Sequence, residues 1–160
     1  MTRKPIAEGS KAPDFDLAAT GGKSLRLSEL QGRPVVVYFY PKDNTPGCTA
    51  EGQDFRDLYP RFRRRRAVIL GISRDSLKTH ENFKAKHKFP FQLLSDPDEA
   101  ACKSYDVIKM KNMYGRKVRG IERSTFLIDP DGVVRRVWRK VRVPEHAAEV
   151  LAAVAELGKN

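Results

Sequence analysis

The sequence predicts an α/β sandwich: a mixed central β-sheet flanked by helices, with a small β-hairpin near the N-terminus. Three observations carry that prediction. The run Val35-Val36-Val37-Tyr38-Phe39-Tyr40 is β-branched and aromatic throughout and stops at Pro41, as a buried central strand does, and residues 67–72 repeat the pattern. Between these runs Phe55, Leu58, Tyr59 and Phe62 recur at i, i+3, i+4 and i+7, the spacing of an amphipathic helix that lays one stripe on a sheet. Further on, Asp129-Pro130-Asp131-Gly132 is a turn signal between two apolar runs, so antiparallel strands join the strands linked by helices.

In chain order, Phe15-Asp16-Leu17 and Leu25-Arg26-Leu27 alternate about Thr20-Gly21-Gly22-Lys23 and form the first hairpin. Ser28-Glu29-Leu30 begins a single helical turn that ends near Gly32. After the first long strand, Thr45 is a candidate N-cap and Pro46 takes the first helical position. Asp75 or Ser76 caps a helix that runs to about His87, and Phe91-Gln92-Leu93-Leu94 is a short third strand. Asp96-Pro97-Asp98-Glu99 repeats the cap-plus-proline signal before a helix that carries Cys102 and Tyr105 on one face. The basic, weakly periodic segment 109–122 reads as a long loop over a site. Residues 124–129 and 133–138 pair as a second hairpin, and Pro144 opens a last helix with Ala147, Val150, Leu151, Val154 and Leu157 inward and Gly158 past its end.

Composition narrows the function classes. At 160 residues, 40% hydrophobic and 32% charged, the chain is sized for one domain over 1–160, with 1–8 expected as a flexible tail. No stretch approaches the roughly 20 apolar residues that span a bilayer, so a membrane partner is not expected and a cytoplasmic location is. Two cysteines and the scattered histidines His80, His87 and His146 fit neither a disulfide scaffold nor a zinc site, so no metal and no other cofactor is expected. The net charge of +11, from 31 basic and 20 acidic residues, raises a nucleic-acid-binding protein with an incidental thiol as an alternative class. Its densest run, Arg63-Arg64-Arg65-Arg66, falls at the predicted C-terminal end of a helix, where cations complement the dipole. No zinc-finger spacing, RNA-recognition motif or phosphate loop accompanies it, so no specific nucleic-acid partner is expected. The absence of a Cys-x-x-Cys pair argues against a thiol–disulfide oxidoreductase.

Cys48 is the residue with a chemical assignment. It lies about three residues into the predicted helix, where free backbone N–H groups and the positive dipole end favour an anionic sulfur. Glu51, three residues on, shares nearly the same helix face and has the geometry to hold a guanidinium beside that sulfur.

The string Tyr40-Pro41-Lys42-Asp43-Asn44-Thr45-Pro46-Gly47-Cys48-Thr49, together with Gly9-x-x-Ala12-Pro13-Asp14-Phe15, resembles the peroxiredoxins, and most of all their bacterioferritin comigratory, or Q-type, branch. The resemblance covers nearly the whole chain. It implies a thioredoxin-like fold and reduction of hydrogen peroxide and alkyl hydroperoxides through a cysteine sulfenate. Cys48 matches the peroxidatic cysteine, Thr45 the hydroxyl that bonds substrate and thiolate, and Pro41 the residue that shields the sulfenate. Arg123 matches the arginine that completes the site, and Glu51 the glutamate that orients it. Reductants implied by the family are thioredoxin, glutaredoxin or a small thiol, and the branch is often monomeric.

One departure from the family pattern shapes the expected mechanism. Many members of the branch carry a resolving cysteine five residues after the peroxidatic one, and that position is Gln53 here; another subgroup places it on the next helix, and residues 76–88 contain none. Cys102 is the candidate left, and it reads as a buried structural thiol because nothing in the sequence brings its Cα within about 7 Å of Cys48. A one-cysteine cycle closed by an external thiol is therefore expected, with a Cys48–Cys102 disulfide as the alternative.

Overall fold

The computed structural model describes residues 6–158. Of the expected tail 1–8, residues 1–5 lie outside the described residues, while Ile6 packs against the core and Ala7 and Ser10 bond across a turn. The N-terminal hairpin forms as read, with β1 (Asp16–Ala19) paired to β2 (Lys23–Arg26) and a 3-10 turn over Leu27–Leu30. Next come β3 (Val35–Phe39), α1 (Pro46–Arg64), β4 (Val68–Ser73), α2 (Leu77–His87) and β5 (Gln92–Ser95). The short α3 (Ala100–Ser104) precedes β6 (Ile108–Met113) and β7 (Arg116–Ile121), and the chain closes with β8 (Ser124–Ile128), β9 (Val134–Trp138) and α4 (His146–Leu157).

Seven strands form one mixed sheet in the order β2-β1-β5-β4-β3-β8-β9. The pairs β3–β4 and β4–β5 are parallel because α1 and α2 return the chain to the same edge; the hairpin-linked neighbours are antiparallel. Strand alternation divides the core. Val35, Val37 and Phe39 point into one cluster with Phe126, Cys102 and Tyr105, whereas Val36, Tyr38 and Tyr40 point into the other with Phe55, Phe62, Leu93 and Cys48. The all-apolar reading of β3 was the sign that both faces are covered. No helix among the described residues is long and apolar enough to cross a membrane.

The structure corrects one element. Residues 109–122, expected as a loop, form the antiparallel hairpin β6–β7, a two-stranded sheet separate from the main one. Its period-2 signal is weak because the hairpin stands off the core, with Lys, Arg and Met on both faces and little of either strand buried. The turn was written at its tip: Tyr114 and Gly115 both take positive φ, 52° and 79°, as a tight hairpin turn requires.

Gly52 shows how closely α1 is seated. A Cβ there would lie 2.4 Å from Phe89 Cζ, a ring that stacks on Phe91 and meets Phe83 edge-on. Gly52→Ala should therefore lower stability by about 1–3 kcal/mol, since overpacking outweighs a helix-propensity gain of at most about 1 kcal/mol. A thermal midpoint lowered by roughly 3–10 °C is the expected reading.

Candidate active site

The loop between β3 and α1 is fixed from below before it presents any chemistry. The Tyr40 hydroxyl donates to Asp43 Oδ1 at 2.6 Å, and Asp43 Oδ2 lies 2.6 Å from His80 Nδ1 on α2. His80 Nε2 donates to the Leu94 carbonyl of β5 at 2.9 Å, and the Asp43 amide donates to Asp75 Oδ2 at 2.9 Å. The loop is thus tied to β4, α2 and β5 at once. His80, read from the sequence as one of three scattered histidines, gathers with Asp43 and Asp75 so that one ligand-type atom of each lies within 4.8 Å of the others. Hydrogen bonds join these groups to one another, and they brace the loop. Sequence reasoning gave none of the three this bracing role; an Asp that ends up buried beside an aromatic strand end has a partner to find, but only the fold says which.

Thr45 takes the N-cap backbone conformation, φ −89° and ψ 152°, but its side chain does not cap the helix. The hydroxyl donates to the Lys42 carbonyl at 2.8 Å, which corrects the expected side-chain cap and leaves the oxygen lone pairs free to accept. Pro46 and Gly47 follow, and Cys48 stands third in α1, 2% exposed. From β8 comes the cation: Arg123, one residue before the strand, places Nη2 3.4 Å from Cys48 Sγ and Nη1 2.6 Å from Glu51 Oε1. Three of the five expected residues, Cys48, Glu51 and Arg123, therefore meet directly. Pro41 sits half-buried at the start of the loop, lining a shallow depression with Arg74, Asp75, Pro97 and Glu99.

Gly47 explains how the guanidinium comes so close, because a Cβ on it would lie 3.1 Å from Arg123 Nη2. Glu51 is buried, and its Oε2 has no hydrogen-bond partner among the described residues. Burial accordingly pushes its carboxyl up to about 7, against the opposing charge and hydrogen bond of Arg123. Two further basic groups line the surroundings. Burial, then the charge of Arg123, holds the half-buried Lys111 of β6 below the usual ammonium value, and His146 is pushed down to about 4 by burial and Arg123 while it bonds Thr125 at 2.8 Å. Neither was found from the sequence, because Lys111 lay in the misread loop and His146 lies far along the chain.

Cys102 is placed elsewhere. Its side chain is fully buried in the cluster on the opposite face of the sheet from Cys48, and burial, then the neighbouring Asp96 carboxylate, pushes the thiol far above its usual range. Asp96 also accepts from the Cys102 amide at 2.8 Å.

A sulfur presented by the first turn of a helix with a guanidinium fixed against it is the arrangement of a thiolate nucleophile, and on this sheet it defines a thiol-dependent enzyme of thioredoxin-like fold. The AhpC/TSA family model matches residues 9–137, and the chain belongs to that family. It is 57% identical over 147 residues to peroxiredoxin Bcp of Xanthomonas campestris, covering 92% of each chain, and 46% identical over 155 residues to peroxiredoxin Bcp of Bacillus subtilis, covering 97% of this chain and 99% of the relative. A solved structure of the bacterioferritin comigratory protein of Xanthomonas campestris, described for alkyl peroxide reduction, superposes with a TM-score of 0.89 at 52% identity, covering 96% of this chain and 100% of that one. The enzyme is a peroxiredoxin, a thiol-dependent peroxidase.

The Glu51 carboxyl yields a pH prediction. Its folded-state value lies above the ordinary 4.5, so between about 4.5 and 7 the folded chain holds a proton that the unfolded chain releases. This group's contribution to stability is present below 4.5 and is lost as pH rises through 7. Urea midpoints measured across that window should show a slope of this sign in the wild type that Glu51→Gln removes.

Proposed function

We propose that this enzyme reduces hydrogen peroxide and alkyl hydroperoxides by a one-cysteine cycle at Cys48, with an external thiol as reductant. The observation that carries the reading is the Arg123 guanidinium, which touches Cys48 Sγ at 3.4 Å and Glu51 Oε1 at 2.6 Å. The Cys48 thiolate attacks one oxygen of the substrate; an S–O bond forms, the O–O bond breaks, and the departing alkoxide or hydroxide takes a proton to leave as alcohol or water. Charge grows on the departing oxygen, where Arg123 and the free N–H groups of the first helical turn supply donors. Thr45, with oxygen lone pairs to spare, orients the hydroperoxide, Pro41 shields the sulfenate, and Glu51 positions Arg123. The sulfenic acid then exchanges its oxygen, as water, for a thiol sulfur, and a second thiol releases the disulfide and restores Cys48.

Closure by an external thiol is supported by Gln53 standing where many relatives carry a cysteine, and by the burial of Cys102 across the sheet. We place this cycle in the cytoplasm, where a pool of reducing thiols sustains it, and in a monomeric enzyme of one domain. The reductant is thioredoxin, glutaredoxin or a small thiol.

Intact mass after one equivalent of peroxide should show one added oxygen on Cys48, unchanged by Cys102→Ser; loss of two hydrogens as a Cys48–Cys102 bridge would overturn the one-cysteine cycle. Arg123→Lys keeps a charge but not the two-pronged hold on Glu51 and the sulfur, and should slow reaction with peroxide about 10²-fold in stopped-flow measurements, comparable to losing one preorganised donor.

A further inference from the structure

All four large apolar side chains that stand exposed among the described residues lie on one element, the β6–β7 hairpin. Met110, Met113 and Val118 are 62%, 49% and 41% exposed, and Tyr114 at the tip is completely so. Exposed apolar residues are ordinarily scattered singly; gathered on one protruding element they mark an interaction surface. The same segment, 108–121, contains five basic residues and no carboxylate.

The cations divide by what they face. Arg119 binds both oxygens of Glu99, and Lys109 reaches Asp106 at 3.1 Å, so these two fasten the hairpin to the body. Lys111 lies within electrostatic reach of Arg123 and Cys48. Arg116 and Lys117 flank the tip, exposed and without an ion-pair partner among the described residues. The hairpin rises directly from the site, since β7 ends at Ile121, two residues before Arg123.

We infer that the β6–β7 hairpin is the docking surface for the reductant, and that this reductant is an acidic protein whose reactive thiol is rimmed by apolar residues. The inference rests on the peroxidase cycle proposed above. Charge complementarity names the partner: the projecting end of the hairpin carries Met113 and Val118 with unpaired Arg116 on one face, Met110 with unpaired Lys117 on the other and Tyr114 at the tip, and it fits an apolar rim with carboxylates outside it. Cys48 is 2% exposed, so a thiol held by a protein has to be seated and aimed to reach the sulfenate. A small thiol diffusing into the site has no use for an apolar platform of this kind.

The test compares two reductants at saturating hydroperoxide: dithiothreitol, and an acidic dithiol protein of the thioredoxin type kept reduced by a recycling system. Tyr114→Ser and Lys117→Glu are the variants, since both side chains are exposed and neither belongs to the catalytic machinery. For the protein reductant, kcat/KM should fall about fivefold or more in each variant, mainly through KM, and raising ionic strength should weaken the wild type as Lys117→Glu does. Turnover with dithiothreitol and the rate of Cys48 oxidation should stay unchanged. Equal loss with both reductants, or no loss with either, would overturn the docking surface. So would sedimentation of the wild type as a dimer that Tyr114→Ser dissolves, because the platform would then seat a second copy of this chain. A wild type that turns over no peroxide with dithiothreitol would instead sink the peroxidase cycle itself, and the docking surface with it.

Discussion

The contact between Arg123 and the Cys48 sulfur is the interaction on which the rest of this enzyme's organisation depends. At 3.4 Å and an effective dielectric of about 20, a guanidinium attracts a thiolate by about 5 kcal/mol, whereas a helix N-terminus supplies at most about 2 kcal/mol. Burial of the sulfur opposes both. The cation is therefore the larger of the two stabilising fields, and it arrives from a strand 75 residues away in sequence. Each neighbouring feature keeps it in place. Gly47 leaves room for Nη2, Glu51 takes Nη1 at 2.6 Å, and β8 is paired to β3 so that Arg123 emerges beside the end of the strand that leads into the cysteine loop.

Holding a guanidinium this way has an electrostatic cost, which Glu51 bears. Its carboxyl is buried with one oxygen on Arg123 and the other unpartnered, and burial raises it to about 7. Removing Glu51 would leave the largely buried Arg123 guanidinium without its partner, whereas removing Arg123 would let burial hold the Glu51 carboxyl protonated. Under the loop, the Tyr40–Asp43–His80–Leu94 chain does comparable work without touching the sulfur: it sets where α1 begins and hence where its free amides point.

The sheet itself separates the two thiols. Alternation along β3 sends Tyr38 and Tyr40 toward the Cys48 cluster and Phe39 toward the Cys102 cluster, so the strand that leads to the active site also stands between the cysteines. The β6–β7 hairpin occupies a place of its own. Only its base is anchored, by Ile121 in the core and by Arg119 on Glu99, and that leaves the apolar residues of its outer part in solvent beside the site.

The sequence by itself determined the parts whose signals are local. The strand at 35–40, the helix start at Thr45-Pro46, the stripe through Phe55 and Phe62 and the turn at residues 129–132 are each written within a dozen residues, because hydrophobic period and turn chemistry are short-range. Cys48 and Glu51 belong to the same category, one helical turn apart. Arg123 was legible only through the family string, since no spacing rule connects residues 48 and 123. What the tertiary structure alone decided is long-range or off the core. It recruited Asp43, Asp75, His80 and Lys111, set the Thr45 hydroxyl on Lys42 rather than on the helix amides, and turned the expected 109–122 loop into a hairpin. The physical reason is common to these cases: a polar or charged residue takes its role from the partner that folding delivers, and the chain's periodicity records only which face of an element is buried.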